Sequence, residues 1–351
     1  LFETQGQLGF DVLAATFYCI SRYEEYLPHT KDAYGRYAHT NSWAYQAEVL
    51  HLPLVNRWWQ TIATQLSEQG WIIPHKPSSF WVELSVDVDI AFKAAYHSAI
   101  KTLGSAIKHA YKGQLKKFFQ AIKQPATDEF NTFSWLTQHC LQVGISPVFF
   151  VLLAAERSQY DKNNTPSSKG FQRFLQNLQQ QYTVFLHPSY QSYFDPRLLQ
   201  TEANTFQAIL GKPATQVRQH YIQFTLPHTY RNYLQQGITA DYSMGYGSIN
   251  GYRASIATPF YWFDVLANKA TNLLVHPFAL MDANFIFEEQ QTPQQASETL
   301  SNYLQQSHQW QLPLHIVLHN HFITETPDFA PWRQVWEQFL KNYSSIRPTI
   351  S

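Results

Sequence analysis

The chain is poor in cysteine: Cys19 and Cys140 are the only two among 351 residues. Both sit in apolar, helix-like stretches with no CxxC pair, so a disulfide-stapled scaffold is excluded. That usage fits a reducing compartment, and a cytoplasmic location is expected. No run approaches the roughly 18 apolar residues of a membrane-crossing helix. No charged segment followed by an apolar one opens the chain. Because it begins at Leu1 rather than Met, a signal lost with a preceding segment stays open. Neither charge is in excess, with 25 Lys and Arg against 25 Asp and Glu. No basic patch stands out, which argues against a nucleic-acid partner. The glycine patterns of P-loops and dinucleotide sites are absent, as are the G-x-S-x-G elbow of serine hydrolases and any repeat of fixed period.

What is plentiful is aromatic, at 16% of residues. Such content suits stacking on sugar rings and equally suits ordinary cores. The length allows a large core and two domains. The most telling stretch is 80–90, FWVELSVDVDI. As a strand it places Ser85, Asp87 and Asp89 on one face and Leu84, Val86, Val88 and Ile90 on the other. Two acids ending a strand built for burial conflict with the cost of burying unpaired charge. A metal ion would resolve the conflict; the alternative is a strand end whose acids reach water.

Residues 1–75 read as a small, mainly helical module, with helices over 10–26 and from Pro53 to Gly70. Arg22, Glu24, Glu25 and Arg36 in it are expected to form a solvated salt-bridge network. The stretch 71–79, with two prolines, marks a boundary before a second unit at 80–351. An insertion at about 91–125 carries a basic face (Lys108, Lys112, Lys116, Lys117) expected to be solvated. Strands are expected at 147–153, 182–187, 216–224, 238–242, 273–278 and 314–319. Helices are expected at 130–143, before 181, and at 196–210, 229–236, 292–309 and 331–342. This alternation implies parallel strands with crossovers, in a barrel or an open sheet.

Polar residues recur where these strands end: Asp87 and Asp89, His187 in FLHPSY, Arg218, His220 and Tyr221 in VRQHY, Asp241 in DYSMGY, and His319, Asn320 and His321 in IVLHNH. In a barrel such ends converge on one face. Each alone has a structural explanation as a hydrogen-bonded strand end. Together, Asp and His favour a borderline divalent ion such as zinc. With a metal-bound water, a second carboxylate as base and a histidine as acid, they form a kit for hydrolysing an amide or ester. Arg253, in GYRAS, either pins Asp241 or meets a substrate anion, with a purely structural buried salt bridge as the alternative. His276 and Asp282, in VHPFALMD, are further groove candidates.

The ordered set SVDVD, GISPVFF, FLHPSY, VRQHY, DYSMGYGSINGYRAS and IVLHN resembles the polysaccharide deacetylase superfamily (carbohydrate esterase family 4-like). The likeness covers roughly 80–345. The SRYEEY segment resembles a branch in which a helical N-terminal region precedes the deacetylase domain. The resemblance implies an α/β fold, a distorted (β/α) barrel with an incomplete set of units behind a small helical domain. It implies Asp87 as general base, Asp89 and His187 as metal ligands, and Arg218 as the arginine that orients the base. His220 and Tyr221 would line the groove, Asp241 would be an acidic residue of the next strand motif, and His319 the general acid. Tyr190, Tyr221, Tyr242 and Arg253 are taken as substrate-side residues. The superfamily has a second histidine four residues after the first, where this chain has Gln191. The third ligand is therefore expected from His220 or from water, and a barrel without metal is the alternative. The implied activity is metal-dependent deacetylation of N-acetylated sugar or polysaccharide, in bacterial surface-polysaccharide metabolism, with zinc as the expected ion. Two other readings stay open: an inactive barrel that binds glycan or scaffolds biosynthesis, and an amidohydrolase acting on a non-sugar C–N bond.

Overall fold

The computed structural model describes residues 9–73, 79–97, 113 and 115–347. The apolar alternation of 80–90 becomes strand β1 (Val82–Val88). Strands β2 (Val148–Leu152), β3 (Thr183–His187), β4 (Gln216–Val217), β5 (Ala240–Met244), β6 (Phe260–Asp264), β7 (Lys269–Pro277), β8 (Leu280–Met281) and β9 (Leu314–His319) complete one sheet in the order β6-β7-β5-β4-β3-β2-β1-β9-β8. Every pairing is parallel except β6 with β7. Among the described residues the sheet curls into an incomplete barrel, with β6 and β8 left as unjoined ends.

The two faces divide as the period of two dictates. Leu84, Val86 and Val88 join the main core beneath the helices. Ser85 and Asp87 point to the concave side, where Phe150, Ala240 and Tyr242 form a separate small apolar cluster. Parallel register sets the strand ends level, pairing Asp87 with His319 and Leu152 with His187.

Helices connect the strands. Phe133–Gln142, Lys169–Gln181, Pro196–Leu210, His228–Gln235, Pro293–Gln309 and Ala330–Ile346 cover the convex face. The capping box of Thr292 with Gln295, with a proline in the first turn, fixes the start of Pro293–Gln309. The strand expected at 216–224 stops after Val217. Beyond it, the Gln219 amide donates to Ser243 Oγ and the His220 amide to the Pro188 carbonyl, instead of to a ladder partner. Tyr221 and Ile222 then take left-handed conformations, φ 60° and 53°. The antiparallel edge strand β6 and the short β8 have no counterpart among the expected strands. Lys108 and Lys112 of the expected basic face, and residues 74–78 of the expected boundary, lie outside the described residues; Leu115–Lys123 is a helix.

The N-terminal helix is shorter than the 10–26 expected. It runs Val12–Ile20 and is capped by Asp11, and Arg22 at φ 55° turns the chain into a short 3-10 segment. The second helix is Leu54–Glu68. This segment packs directly on the barrel, with Cys19 and Val55 inside the main core. The expectation of a solvated charge network is corrected. Arg22, Glu24, Glu25 and Arg36 are all buried, with at most 6% exposure. Glu25 bridges Arg22 (2.7 Å) and Arg253 (2.7 Å), joining segment to barrel. Docking removes water from these charges, and only mutual pairing makes that tolerable. Both cysteines are buried and free. Among the described residues, no helix is long and apolar enough to cross a membrane.

Candidate active site

At the carboxyl end of the strands lies a cleft of about 490 Å³ lined by Asp87, Asp89, His187, His220 and His319, among others. Ligand atoms of Asp89, His187 and His220 lie within 4.8 Å of one another. Asp89 Oδ1 is 3.3 Å from His187 Nε2 and 3.6 Å from His220 Nε2. It is buried and accepts no hydrogen bond. Gln191 opens the turn Gln191–Tyr193 and is not among the residues that line the cleft. The third ligand atom, His220 Nε2, comes instead from the turn that ends β4.

The outer nitrogens of both imidazoles are engaged. His187 Nδ1 meets the Arg218 carbonyl, and His220 Nδ1 lies 2.9 Å from Asp161 Oδ1. With those nitrogens donating, each Nε2 lone pair faces Asp89, the tautomer a metal ligand needs. Burial alone would raise the Asp89 pKa, but His220, His187 and His319 hold it well below the usual carboxylate range. Burial alone would lower His220, yet Asp89 and Asp161 hold it up at about 10. Both shifts mean that positive charge beside Asp89 is favoured, borne by a proton or by a metal cation. One carboxylate and two imidazoles suit a borderline divalent ion.

Asp87 stands beside this cluster, its Oδ2 3.7 Å from His187 Nε2. Its other oxygen accepts from Arg218 Nη1 at 2.6 Å. Arg218 is fully buried and is fixed by Ser85 Oγ (2.8 Å), the Tyr242 carbonyl (3.0 Å) and the Phe150 ring beneath its guanidinium (4.3 Å). Burial and the Arg218 charge drive neighbouring His315 well below the usual histidine range, so it accepts from Arg218 as a neutral ring. Across the cleft His319 Nε2 is 3.8 Å from Asp89 Oδ2, and its Nδ1 is 2.6 Å from Asp282 Oδ1. Burial alone would lower His319, but Asp282, Asp89 and Asp87 outweigh it and hold the ring up at about 9. His321, also in the lining, is pushed down to about 4 by burial.

Other expected site residues lie elsewhere. Asp241 is buried away from the cleft and accepts from Tyr230 Oη (2.7 Å) and from Ser243 Oγ and N (2.7 and 2.9 Å). Ser243 in turn receives the Gln219 amide, so Asp241 anchors the turn that carries His220. Arg253 touches neither Asp241 nor the cleft; its guanidinium is taken up by Glu25 and the Gly245 carbonyl. Tyr242 points to the concave interior and stacks on His276 at 4.1 Å. Tyr190 is buried behind the lining, against Tyr160. Residues not anticipated in the sequence do line the cleft: Tyr34 and Arg36 from the N-terminal segment, Tyr160, Phe287 and Phe322. Asp161, which orients His220, sits in a loop whose polar composition gave no signal.

Residues 1–70 match a family of unknown function, DUF7033. No curated protein matches the sequence. Similar solved structures include a candidate polysaccharide deacetylase from Mycobacterium smegmatis, 12% identical, with a TM-score of 0.48, covering 77% of this chain and 86% of that one. PuuE allantoinase is 11% identical, with a TM-score of 0.46 and coverages of 80% and 96%. A candidate polysaccharide deacetylase from Pseudomonas aeruginosa PAO1 is 11% identical, with a TM-score of 0.45 and coverages of 76% and 85%. In the order of its motifs the chain resembles the polysaccharide deacetylase superfamily, behind an N-terminal segment that matches DUF7033.

Proposed function

We propose that the chain is a metal-dependent hydrolase that removes acetyl groups from N-acetylated sugars. The observation that carries this reading is the trio Asp89, His187 and His220, flanked by an arginine-held carboxylate and a carboxylate-held histidine. Asp89, His187 and His220 would hold a divalent ion, with zinc best suited to the donors, and that ion would supply Lewis acidity and lower the pKa of a water. Asp87 is the base: Arg218 keeps one oxygen occupied and leaves the other facing the cleft to accept the water's proton. His319 is the acid. Its Nδ1 donates to Asp282, its Nε2 faces the cleft, and the Asp282 carboxylate favours the protonated ring that can give a proton to the leaving amine nitrogen.

The test joins metal analysis to acetate release. The purified chain is expected to hold about one divalent ion per chain and to release acetate from N-acetylated oligosaccharides in preference to small amides. Asp89→Ala and His187→Ala are each expected to lose both properties. Full metal content in both variants sinks the ligand assignment, and hydrolysis of small amides alone moves the activity to a non-sugar C–N bond.

A further inference from the structure

Beyond the residues that carry the chemistry, the cleft has an aromatic wall. Three tyrosines from separate parts of the chain meet there: Tyr34 of the N-terminal segment, Tyr160 of the loop after β2, and Tyr221 next to His220. The Tyr221 ring is 4.8 Å from that of His220. The Tyr34 and Tyr160 rings follow at 5.2 and 5.1 Å from Tyr221, and 6.0 Å from each other. All three are only partly buried and border the cleft, whereas tyrosines serving the core here, such as Tyr230 and Tyr233, are covered completely.

Tyr34 is held in place. The Asp32 carboxylate accepts from the amides of Tyr34 (2.9 Å) and Arg36 (3.0 Å) and from Arg36 Nε (2.7 Å). The Arg36 guanidinium lies 4.7 Å from the Tyr34 ring centre and donates to the carbonyls of Tyr221 (2.6 Å) and Gly247 (3.3 Å). Tyr221 itself has φ 60°, a conformation costly for a bulky residue, and Arg36 pins its carbonyl there. The wall is thus assembled before any ligand arrives.

We propose that Tyr34, with Tyr160 and Tyr221, forms a stacking subsite for the second sugar ring of an N-acetylated disaccharide or longer glycan. The identity of the ring rests on the sugar-deacetylase reading above. A tyrosine offers an apolar face to the C–H surface of a pyranose and a hydroxyl to its rim. Tyr34 stands one ring further from His220 than Tyr221 does, so it meets the neighbour of the ring whose acetyl group faces Asp89.

The experiment is calorimetric titration of the zinc-loaded chain with N-acetylglucosamine and with its β-1,4-linked disaccharide. Wild type, Tyr34→Ala, Tyr34→Phe and Tyr160→Ala are compared, and unchanged melting temperature and zinc affinity serve as the check on folding. Tyr34→Ala and Tyr160→Ala are each expected to weaken the disaccharide about tenfold, the size of one aromatic contact. They should leave the monosaccharide unchanged, and Tyr34→Phe should bind as wild type. Equal disaccharide affinity in wild type and Tyr34→Ala overturns the subsite, as does a wild type that binds neither sugar. Equal losses for both sugars overturn the second-ring assignment. Tyr34-dependent binding without acetate release removes the hydrolase reading and leaves the subsite standing.

Discussion

Asp161 and Asp282 perform parallel tasks, each gripping the outer nitrogen of a cleft histidine. For Asp161→Asn, which frees the His220 tautomer, zinc affinity measured by competition is expected to fall about 10- to 100-fold. For Asp282→Asn, kcat is expected to fall about 100-fold or more, with zinc content and KM little changed. These two partners differ in how visible they are from sequence. Asp282 follows an apolar strand and stands out there. Asp161 belongs to a run of Ser, Asp, Lys and Asn that reads as a solvated loop, yet it is completely buried. Asp87, Asp89, His187, His220 and His319 stand out because each breaks an apolar pattern at a strand end. Asp241 breaks the same pattern, and spacing alone cannot tell that its carboxylate folds back on Ser243, two residues ahead.

At the scale of elements, long periodic segments were readable and short ones were not. β1, β9 and the helix Pro196–Leu210 stand where their patterns place them. β4 keeps only two residues of a nine-residue expectation because its amides are claimed by Ser243 and Pro188. The exit of β5 is tighter still. A Cβ on Gly245 would lie 2.3 Å from the buried Phe278 ring, which itself lies near Arg218. Gly245→Ala is therefore expected to destabilise the fold by about 1–3 kcal/mol in urea unfolding.

For the whole molecule, the alternation of strand and helix was enough to suggest a barrel, but the union of its two parts was hidden. Charges written within 15 residues of one another in the N-terminal segment look solvated until a partner at position 253 is known. Burial alone would raise Glu25, but Arg253 and Arg22 hold it down at about 2, against an ordinary 4.5. A depressed carboxylate stabilises the fold fully above its unfolded pKa, and that contribution fades as pH falls towards the folded value. The shift corresponds to about 3 kcal/mol. Urea midpoints are expected to drop between about pH 5 and about pH 2 in wild type. Glu25→Gln, already weaker at neutral pH, should lose that part of the slope. The same bridge has a bearing on biosynthesis. Glu25 leaves the ribosome 228 residues ahead of Arg253, so a nascent chain carries its acidic clasp open while those residues are made and can fasten it only when the far half of the barrel has emerged.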